Sequence, residues 1–378
     1  MAREIPFYVP DIGEAERVQV EEVLNMENLS KAEELEEAFV KKTGATYAIS
    51  TNSGTSALHL SMCAMDLKRG DKIICSVNSF PSVPEVVRHF DAEPIFVDID
   101  PDDFNIDLDA FEKVLEENIS KKLKGAIINH VGGQPTDLDR LYEIAKRFKI
   151  KIVEDASDAL GAKYNGNPIG ATGADITCFS FSPHMKNSVA NAGVMLCEDD
   201  ELYERGMLLR NHAIESSGWD KYGNLEYVYD VVDIGWKYDI SELDAAYALA
   251  QYKRLDKTIE KRRKIAKRYN ELLEGVKHVS LPVEKRDHIY QLYIIKIDRN
   301  RDGFARALKE RGIHCGLHYI PLHLMTYYKQ KYSLRVNDFQ NALQTYQQVL
   351  SLPIYNSMSD ADVEYVCEMV KEVADKHI

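Results

Sequence analysis

Short apolar runs alternate with amphipathic segments between about residue 45 and residue 200. The apolar runs predict β-strands at residues 46–50, 71–75, 93–97, 125–129 and 150–154. Apolar positions that recur every three or four residues predict helices at residues 55–65, 108–117 and 138–148. Because the strands are almost continuously apolar, the pattern predicts a mainly parallel central sheet that lies between helices.

The pattern changes after about residue 240. Residues 241–275 are typical of one continuous, charged helix that begins at the N-cap Ser241. Residues 288–298 are strand-like, and residues 301–311 predict a helix that ends at Gly312. With 378 residues, the chain exceeds the usual size of one domain. We therefore predict a large α/β domain over residues 1–245 and a smaller C-terminal α+β domain over residues 246–378.

The composition is that of an ordinary globular protein, with 45% hydrophobic and 29% charged residues. The net charge of −14 and the lack of a basic cluster argue against a nucleic-acid partner. No apolar run approaches the ~18 residues that span a bilayer, and the N-terminus lacks the apolar core of a secretory signal. Six scattered cysteines without paired spacing indicate reduced thiols. We therefore expect a cytoplasmic protein without a membrane partner.

Candidate chemistry falls at the ends of three predicted strands. Residues 52–56 follow one strand, Asp155 ends another, and residues 180–186 follow a third. Ligands of such sheets bind beyond the carboxyl ends of the strands, so these segments should meet on one rim. Ser53, Gly54 and Thr55 open a helix whose free N–H groups attract phosphate. A plain N-cap with a tight turn would explain the same three residues.

Lys186 and Asp155 each follow a strand-like run. An enzyme that holds pyridoxal phosphate needs a lysine and an aspartate placed in this way. The lysine amine forms a Schiff base, and the aspartate keeps the pyridine nitrogen protonated, so that the ring acts as an electron sink. Phe80, on the loop after residues 71–75, could stack on a flat cofactor ring. The alternatives are a solvated surface charge for Lys186, an N-cap for Asp155 and a core position for Phe80.

Four motifs, in this order along the chain, resemble those of the sugar aminotransferase family. They are Ser-Gly-Thr-Ser-Ala-Leu at 53–58, Glu-Asp-Ala-x-x-Ala-x-Gly at 154–161, Ser-Phe at 180–181 with Lys-Asn at 186–187, and Arg-Asn-His at 210–212. Residues 235–246 and 316–323 fit the later motifs of the family, and the last of them looks closest to members that aminate C4 of UDP-linked 4-keto sugars. The resemblance implies the aspartate aminotransferase-like fold, fold type I of the pyridoxal phosphate enzymes.

The resemblance also implies a role for each matching residue. Lys186 would form the Schiff base and carry the proton, and Asp155 would pair with the pyridine nitrogen. The cofactor would be bound by Ser53, Gly54, Thr55, Phe80, Asp155, Asp158, Ser180, Lys186 and, across a dimer interface, Lys237. The sugar pocket would be lined by His184, His318, Tyr319 and His323. No metal is implied.

The implied reaction is the pyridoxal phosphate-dependent transfer of an amino group from L-glutamate to a nucleotide-linked keto-sugar. The acceptor would be C4 of a UDP-4-keto-6-deoxyhexose, destined for cell-surface glycans, and pyridoxamine phosphate would be the intermediate. The resemblance further implies a homodimer whose active sites are shared between the subunits.

The chain departs from the family pattern at several positions. Met185 stands where the lysine is usual, and Lys186 comes one residue later. Asp158 replaces the usual glutamine or histidine, and Asp239 replaces the usual arginine or asparagine. A pyridoxamine phosphate-dependent sugar dehydratase and a non-catalytic homologue that binds cofactor or sugar nucleotide therefore stay as alternatives. A metal site at His314, His318 and His323 lacks a nearby acid pair, and no Gly-x-Gly-x-x-Gly follows a strand to suggest NAD.

Overall fold

The structure, a computed structural model, describes residues 3–181, 189–215 and 229–376. The helices of the first two thirds are α1 (Glu14–Leu24), α2 (Lys31–Thr43), α3 (Gly54–Ala64), α4 (Ser82–Arg88), α5 (Leu108–Asn118), α6 (Leu138–Phe148) and α7 (Asp200–Arg210). The later helices are α8 (Glu242–Lys253), α9 (Leu255–Leu273), α10 (Arg301–Glu310), α11 (Thr326–Lys331), α12 (Gln340–Gln348) and α13 (Asp360–Asp375).

The strands form one large sheet and several small ones. They are β1 (Tyr47–Thr51), β2 (Lys72–Ser76), β3 (Glu93–Val97), β4 (Leu123–Asn129), β5 (Lys151–Asp155), β6 (Lys163–Tyr164), β7 (Asn167–Pro168), β8 (Ile176–Ser180), β9 (Gly193–Cys197), β10 (Ile214–Glu215), β11 (Asp230–Val231), β12 (Val279–Ser280), β13 (Tyr293–Ile297) and β14 (Val349–Leu352). Every strand and helix predicted between residues 45 and 155 is present, with ends that differ by at most a few residues.

The central sheet has seven strands in the order β1-β9-β8-β5-β4-β2-β3. The pairs β2–β3, β2–β4, β4–β5 and β5–β8 are parallel, whereas β9 is antiparallel to both β1 and β8. The predicted mainly parallel sheet is therefore confirmed. Its carboxyl-terminal edge carries the ends of β1, β4, β5 and β8, where Thr51 and Ser180 both pair with Gly193, the first residue of β9.

Both faces of this sheet are buried, which explains the continuous apolar strands. Along β2, Ile73 belongs to the core on one side of the sheet and Ile74 to the core on the other. Ile127 and Ile128 divide in the same way along β4. Successive strand residues point to opposite faces, so a strand covered by helices on both sides needs apolar residues at every position.

A second, smaller core forms around the antiparallel sheet β12-β13-β14. Helices α9, α10 and α13 pack in this part of the chain, and Tyr269, Tyr293 and Phe304 are fully buried there. Ile5 joins the same core through a parallel bridge to Ile313, which ties the N-terminal segment to the C-terminal part. The division of the chain at residue 245 stays a prediction.

Two elements after residue 240 differ from the predicted pattern. The helix expected over 241–275 is two helices, which separate at Arg254. The Arg254 side chain donates to Asp11 Oδ2 at 2.6 Å and to Glu16 Oε1 at 2.7 Å, contacts that lie far away in sequence. The strand expected over 288–298 begins only at Tyr293, because the preceding backbone turns to donate hydrogen bonds to the carbonyls of Gly132 and Gly133.

Candidate active site

A cavity of about 470 Å³ lies at the carboxyl-terminal edge of the central sheet. It is lined by nine residues that the sequence predicted for the site, namely Ser53, Gly54, Thr55, Phe80, Asp155, Asp158, Ser180, His318 and Tyr319. They come from the ends of β1, β5 and β8 and from two loops, one after β2 and one in the C-terminal part of the chain. The convergence predicted from the topology of a parallel sheet is therefore present.

One wall of the cavity is the beginning of helix α3. Ser53 caps this helix, since its Oγ accepts a hydrogen bond from the Ser56 N–H at 3.1 Å. The N–H groups of Gly54 and Thr55 have no acceptor among the described residues. Free N–H groups at a helix start bind phosphate well, because the helix dipole also favours negative charge there. This wall therefore fits the phosphate of a cofactor.

Gly54 is required where the helix start meets the end of β8. A Cβ atom added to Gly54 would lie 2.5 Å from Ser180 Cβ and 3.2 Å from Ser180 Cα. Only glycine allows this approach, which brings the Ser180 hydroxyl next to the free N–H groups of the helix. The sequence pattern predicted both residues but could not show that they touch.

Asp155 ends β5 at the cavity and is 8% exposed. Its Oδ1 accepts hydrogen bonds from the Ser157 N–H at 3.2 Å and from the Ser157 hydroxyl at 2.5 Å. No helix begins here, so Asp155 is not an N-cap. Burial raises the pKa of this carboxyl, and the nearby Asp158 carboxylate raises it further. No lysine or arginine of the described residues forms an ion pair with Asp155, so a cationic ring nitrogen would be a suitable partner.

Asp158 is the second buried acid of the cavity. Its Oδ2 accepts hydrogen bonds from the Gly132 N–H at 3.0 Å and from the Tyr319 hydroxyl at 3.2 Å. Burial, followed by the Asp158 and Asp155 carboxylates, raises the pKa of the Tyr319 phenol well above its usual value. Tyr319 is therefore a neutral hydrogen-bond donor that links the C-terminal part of the chain to Asp158.

Phe80 is 55% exposed and borders the cavity, although a phenylalanine after a strand is usually buried. This exposure argues against the core position and leaves the ring accessible to a flat ligand. His318 also lines the cavity; its Nδ1 lies 2.8 Å from Ser351 Oγ, and its ring stacks on Phe7.

His130 is a cavity residue that the sequence reasoning missed. It follows the end of β4 and is 1% exposed. Its Nδ1 accepts from the Thr136 N–H at 3.2 Å, so Nε2 carries the hydrogen and faces Glu154 Oε2 at 3.6 Å. Asn129 and Ser157 line the cavity as well. The rule that ligands bind at strand ends would have pointed to both residues, because Asn129 ends the strand predicted over 125–129 and His130 follows it.

Four of the predicted site residues lie outside the cavity or outside the described residues. Lys237 is exposed and forms an ion pair with Asp239 at 2.7 Å. The backbone carbonyls of Lys237 and Tyr238 accept hydrogen bonds from Asn52, which lies two residues before the first residue of α3. His323 is fully buried, with Nε2 at 3.1 Å from the Val336 carbonyl, and does not line the cavity.

Lys186 and His184 fall within 182–188, outside the residues that the structure describes. Their places in the site therefore stay predictions.

The three C-terminal histidines have separate environments. His314 contacts Glu4 at 2.9 Å, His318 contacts Ser351, and His323 packs against Phe339. Across residues 3–181, 189–215 and 229–376, no three His, Cys, Asp or Glu side chains are grouped as a metal ion would require. In the same parts of the chain, no helix has the length and apolar character needed to cross a bilayer.

Comparison with known proteins places the chain among aminotransferases. The profile of the DegT/DnrJ/EryC1/StrS aminotransferase family matches residues 10–371. The spore coat polysaccharide biosynthesis protein SpsC of Bacillus subtilis is 33% identical over 98% of this chain and 97% of its own length. The UDP-4-amino-4-deoxy-L-arabinose–oxoglutarate aminotransferase of Shewanella sediminis is 32% identical over 98% of both chains.

Solved structures match the fold over its whole length. Spr1654 of Streptococcus pneumoniae, described as a sugar aminotransferase, superposes in its PMP form with a TM-score of 0.91 at 27% identity, covering 99% of this chain and 100% of the other. Its PLP form superposes with a TM-score of 0.89 at 26% identity and covers all of both chains. The predicted family, the fold type I architecture and the pyridoxal phosphate class of cofactor are thereby confirmed.

Proposed function

Because the chain belongs to the DegT/DnrJ/EryC1/StrS aminotransferase family, we propose that it transfers an amino group from L-glutamate to a nucleotide-linked keto-sugar. The proposed acceptor position is C4 of a UDP-4-keto-6-deoxyhexose. The similarity to the Shewanella sediminis aminotransferase, which is named for a UDP-linked 4-amino sugar, supports the UDP nucleotide and the C4 position. The similarity to the spore coat protein of Bacillus subtilis supports a role in making cell-surface glycans. The cofactor is pyridoxal phosphate, with pyridoxamine phosphate as its aminated form.

One observation carries this proposal. A buried carboxylate, Asp155, and a helix start with free N–H groups, Gly54 and Thr55, line the same cavity of about 470 Å³. A ligand with a cationic ring nitrogen and a phosphate would satisfy both, because among the described residues the carboxylate has no cationic partner and the two N–H groups have no acceptor. Neither a bare sugar nor a nucleotide base offers a cationic nitrogen and a phosphate together.

Each residue of the cavity then has a task that its chemistry suits. When bound, pyridoxal phosphate supplies an electron sink for the carbon that loses or gains a proton. Asp155 would hold the ring nitrogen in its protonated form, and Ser157 would keep the Asp155 carboxylate oriented. Ser53, Gly54, Thr55 and Ser180 would hold the phosphate, and Phe80 would cover the ring.

Lys186 would anchor the cofactor through its amine and, once released, move the proton between the substrate carbon and the cofactor. His184, His318 and Tyr319 would orient the sugar. Asp158, held by the Gly132 N–H and the Tyr319 hydroxyl, would keep Tyr319 in place at the cavity wall.

We further propose a cytoplasmic homodimer. The exposed Lys237 lies beside Asn52, which precedes the helix start, and would complete the phosphate site of the partner subunit. The Lys237 ammonium of one subunit would add positive charge at the phosphate bound by the other. This charge would favour phosphate binding, because each chain carries a net charge of −14 that repels anions.

The test is an amine-transfer assay with purified, pyridoxal phosphate-loaded protein. UDP-, GDP- and dTDP-linked 4-keto sugars are each incubated with L-glutamate, and the amino sugar and 2-oxoglutarate are quantified by mass spectrometry. We expect equal amounts of both products with a UDP-linked acceptor and none with Lys186→Ala. Formation of a deoxy-keto sugar without amine would favour the dehydratase instead, and an inert protein would favour the non-catalytic homologue.

A further inference from the structure

A buried histidine, His59, lies between helix α3 and the segment that carries Lys237. His59 belongs to α3, the helix whose start forms the phosphate wall of the cavity, and is 2% exposed. Its ring packs edge-on against Trp236 with 4.6 Å between the ring centres, and its Nδ1 lies 3.3 Å from the Tyr238 hydroxyl. His59 therefore contacts both chain neighbours of Lys237.

The segment 236–238 holds its side chains on two opposite sides. The rings of Trp236 and Tyr238 are parallel to within 8° and lie together against α3. The Lys237 side chain between them is 61% exposed and pairs with Asp239, two residues further along. Successive residues of extended backbone point in opposite directions. The packing of the two rings on α3 therefore sets the direction of Lys237.

His59 is itself held from its other side. The Phe90 ring stacks on it with 5.0 Å between the ring centres, and the His89 ring lies at 5.2 Å. Cys63, one turn further along α3, has its Sγ 3.5 Å from His59 Nδ1. Because its surroundings are closely packed, the imidazole is a firm support for the segment 236–238.

The polar atoms of His59 indicate more than core packing. Burial lowers the pKa of His59 to about 4 and raises the pKa of Tyr238 to about 12, so at neutral pH the Tyr238 hydroxyl can donate to an unprotonated Nδ1. Nε2 is buried and has no hydrogen-bond partner among the described residues. An apolar side chain would avoid the cost of this unsatisfied nitrogen. The histidine therefore indicates a task that the contact with Tyr238 performs.

We propose that His59 is a positioning residue that directs Lys237 toward the cofactor phosphate of the partner subunit. This inference rests on the proposed function, because it names the residue that holds the shared cation in place. Lysine has a long side chain with many rotamers, and ordering it at a phosphate has an entropic cost. A backbone fixed through Trp236 and Tyr238 lowers that cost, since Lys237 already points away from α3.

The first test is a double-mutant cycle on cofactor affinity, measured by visible absorption during titration with pyridoxal phosphate. We expect Lys237→Ala to weaken binding about tenfold, His59→Ala to weaken it about threefold or more, and the double variant to bind no worse than Lys237→Ala alone. Without the lysine, His59 has nothing left to direct. His89→Ala is the matched control and should bind normally, because Phe90 still supports His59. Losses that multiply in the double variant would overturn the proposal.

Milder variants and a local probe separate positioning from folding. Tyr238→Phe removes only the hydroxyl and should reproduce part of the loss, whereas His59→Asn keeps a polar atom near Nδ1 and should bind more tightly than His59→Ala. The chain has two tryptophans, so in a Trp219→Phe background Trp236 reports alone. Acrylamide should quench Trp236 about twofold more strongly in His59→Ala, because the released segment opens to solvent. Equal quenching with and without His59 would overturn the proposal.

Mixed dimers show which subunit depends on His59. One chain carries Lys186→Ala, so that borohydride fixes the cofactor only on the other chain, and the two chains are purified together by different tags. At limiting cofactor, we expect the fixed amount to fall when His59→Ala is on the Lys186→Ala chain and to stay unchanged when it is on the other chain. A loss confined to the chain that itself carries His59→Ala would overturn the proposal.

The outcomes also separate this inference from the shared site on which it rests. Weak binding by Lys237→Ala together with normal binding by His59→Ala would overturn the role of His59 and leave the shared site standing. Normal binding by Lys237→Ala would overturn the shared site and the role of His59 with it.

Discussion

Replacing Gly54 by alanine places a methyl group between the start of α3 and the end of β8. The new Cβ would lie 2.5 Å from Ser180 Cβ, 2.9 Å from Ser180 Oγ and 3.2 Å from Ser180 Cα, whereas an ordinary contact is 3.4 Å or longer. Ser180 is held in the sheet by its pairing with Gly193, so β8 cannot easily retreat. Overpacking of this kind costs about 1–3 kcal/mol.

The helix itself would gain little from the change, since alanine is favoured over glycine in a helix by at most about 1 kcal/mol. We therefore expect Gly54→Ala to melt a few degrees below the wild type, at about 2–4 °C per kcal/mol. Because the methyl group would also push the Ser180 hydroxyl away from the free N–H groups, cofactor affinity should fall about tenfold or more.

Thermal melts and pyridoxal phosphate titrations of three variants check this reasoning. Gly13→Ala is the control, because its added Cβ would meet nothing nearer than Glu16 Oε2 at 3.6 Å. Gly54→Ala combined with Ser180→Gly removes the two closest contacts, and should recover much of the melting temperature but not the cofactor affinity. A Gly54→Ala protein with wild-type stability and affinity would refute the close approach of α3 and β8.

Three other perturbations test separate groups. Asp155→Asn should raise the melting temperature of the cofactor-free protein at neutral pH, because burial raises the pKa of Asp155 and its ionised form destabilises the fold. This gain should vanish in acid, where the carboxyl is protonated in both the folded and the unfolded state. A difference in melting temperature that does not depend on pH would contradict this reasoning. Burial lowers the pKa of His59 to about 4 from 6.5, so stability should fall as pH drops through this interval, and His59→Gln should flatten that part of the stability curve. Lys237→Ala should weaken cofactor retention in a dialysis assay while Lys253→Ala does not, and equal retention would count against the shared site.

The sequence predicted the part of the fold that local periodicity controls. The strands before Asp155 and helix α6 are apolar at the positions that the sheet and its helices bury, so their ranges followed directly from the pattern. The sequence also placed residues 53–55, Asp155 and Ser180 on one rim, because the carboxyl ends of parallel strands share an edge.

Features that depend on distant partners were beyond such patterns. The break between α8 and α9 depends on Asp11 and Glu16, more than 200 residues before Arg254 in the chain. The contact of Gly54 with Ser180 exists only once the chain is folded. For His323, the motif at 316–323 predicted a place in the sugar pocket. In the folded chain, His323 is instead buried against Phe339.

The most direct measurement concerns Lys186, which must bind the cofactor if the chain is to catalyse amine transfer. The pyridoxal phosphate-loaded protein is reduced with borohydride, digested and mapped by mass spectrometry. We predict one pyridoxyl-phosphate group per chain, on the peptide that contains Lys186, and none in Lys186→Ala. A reduced protein without the adduct, or with the adduct on another lysine, would contradict the proposed catalytic role of Lys186.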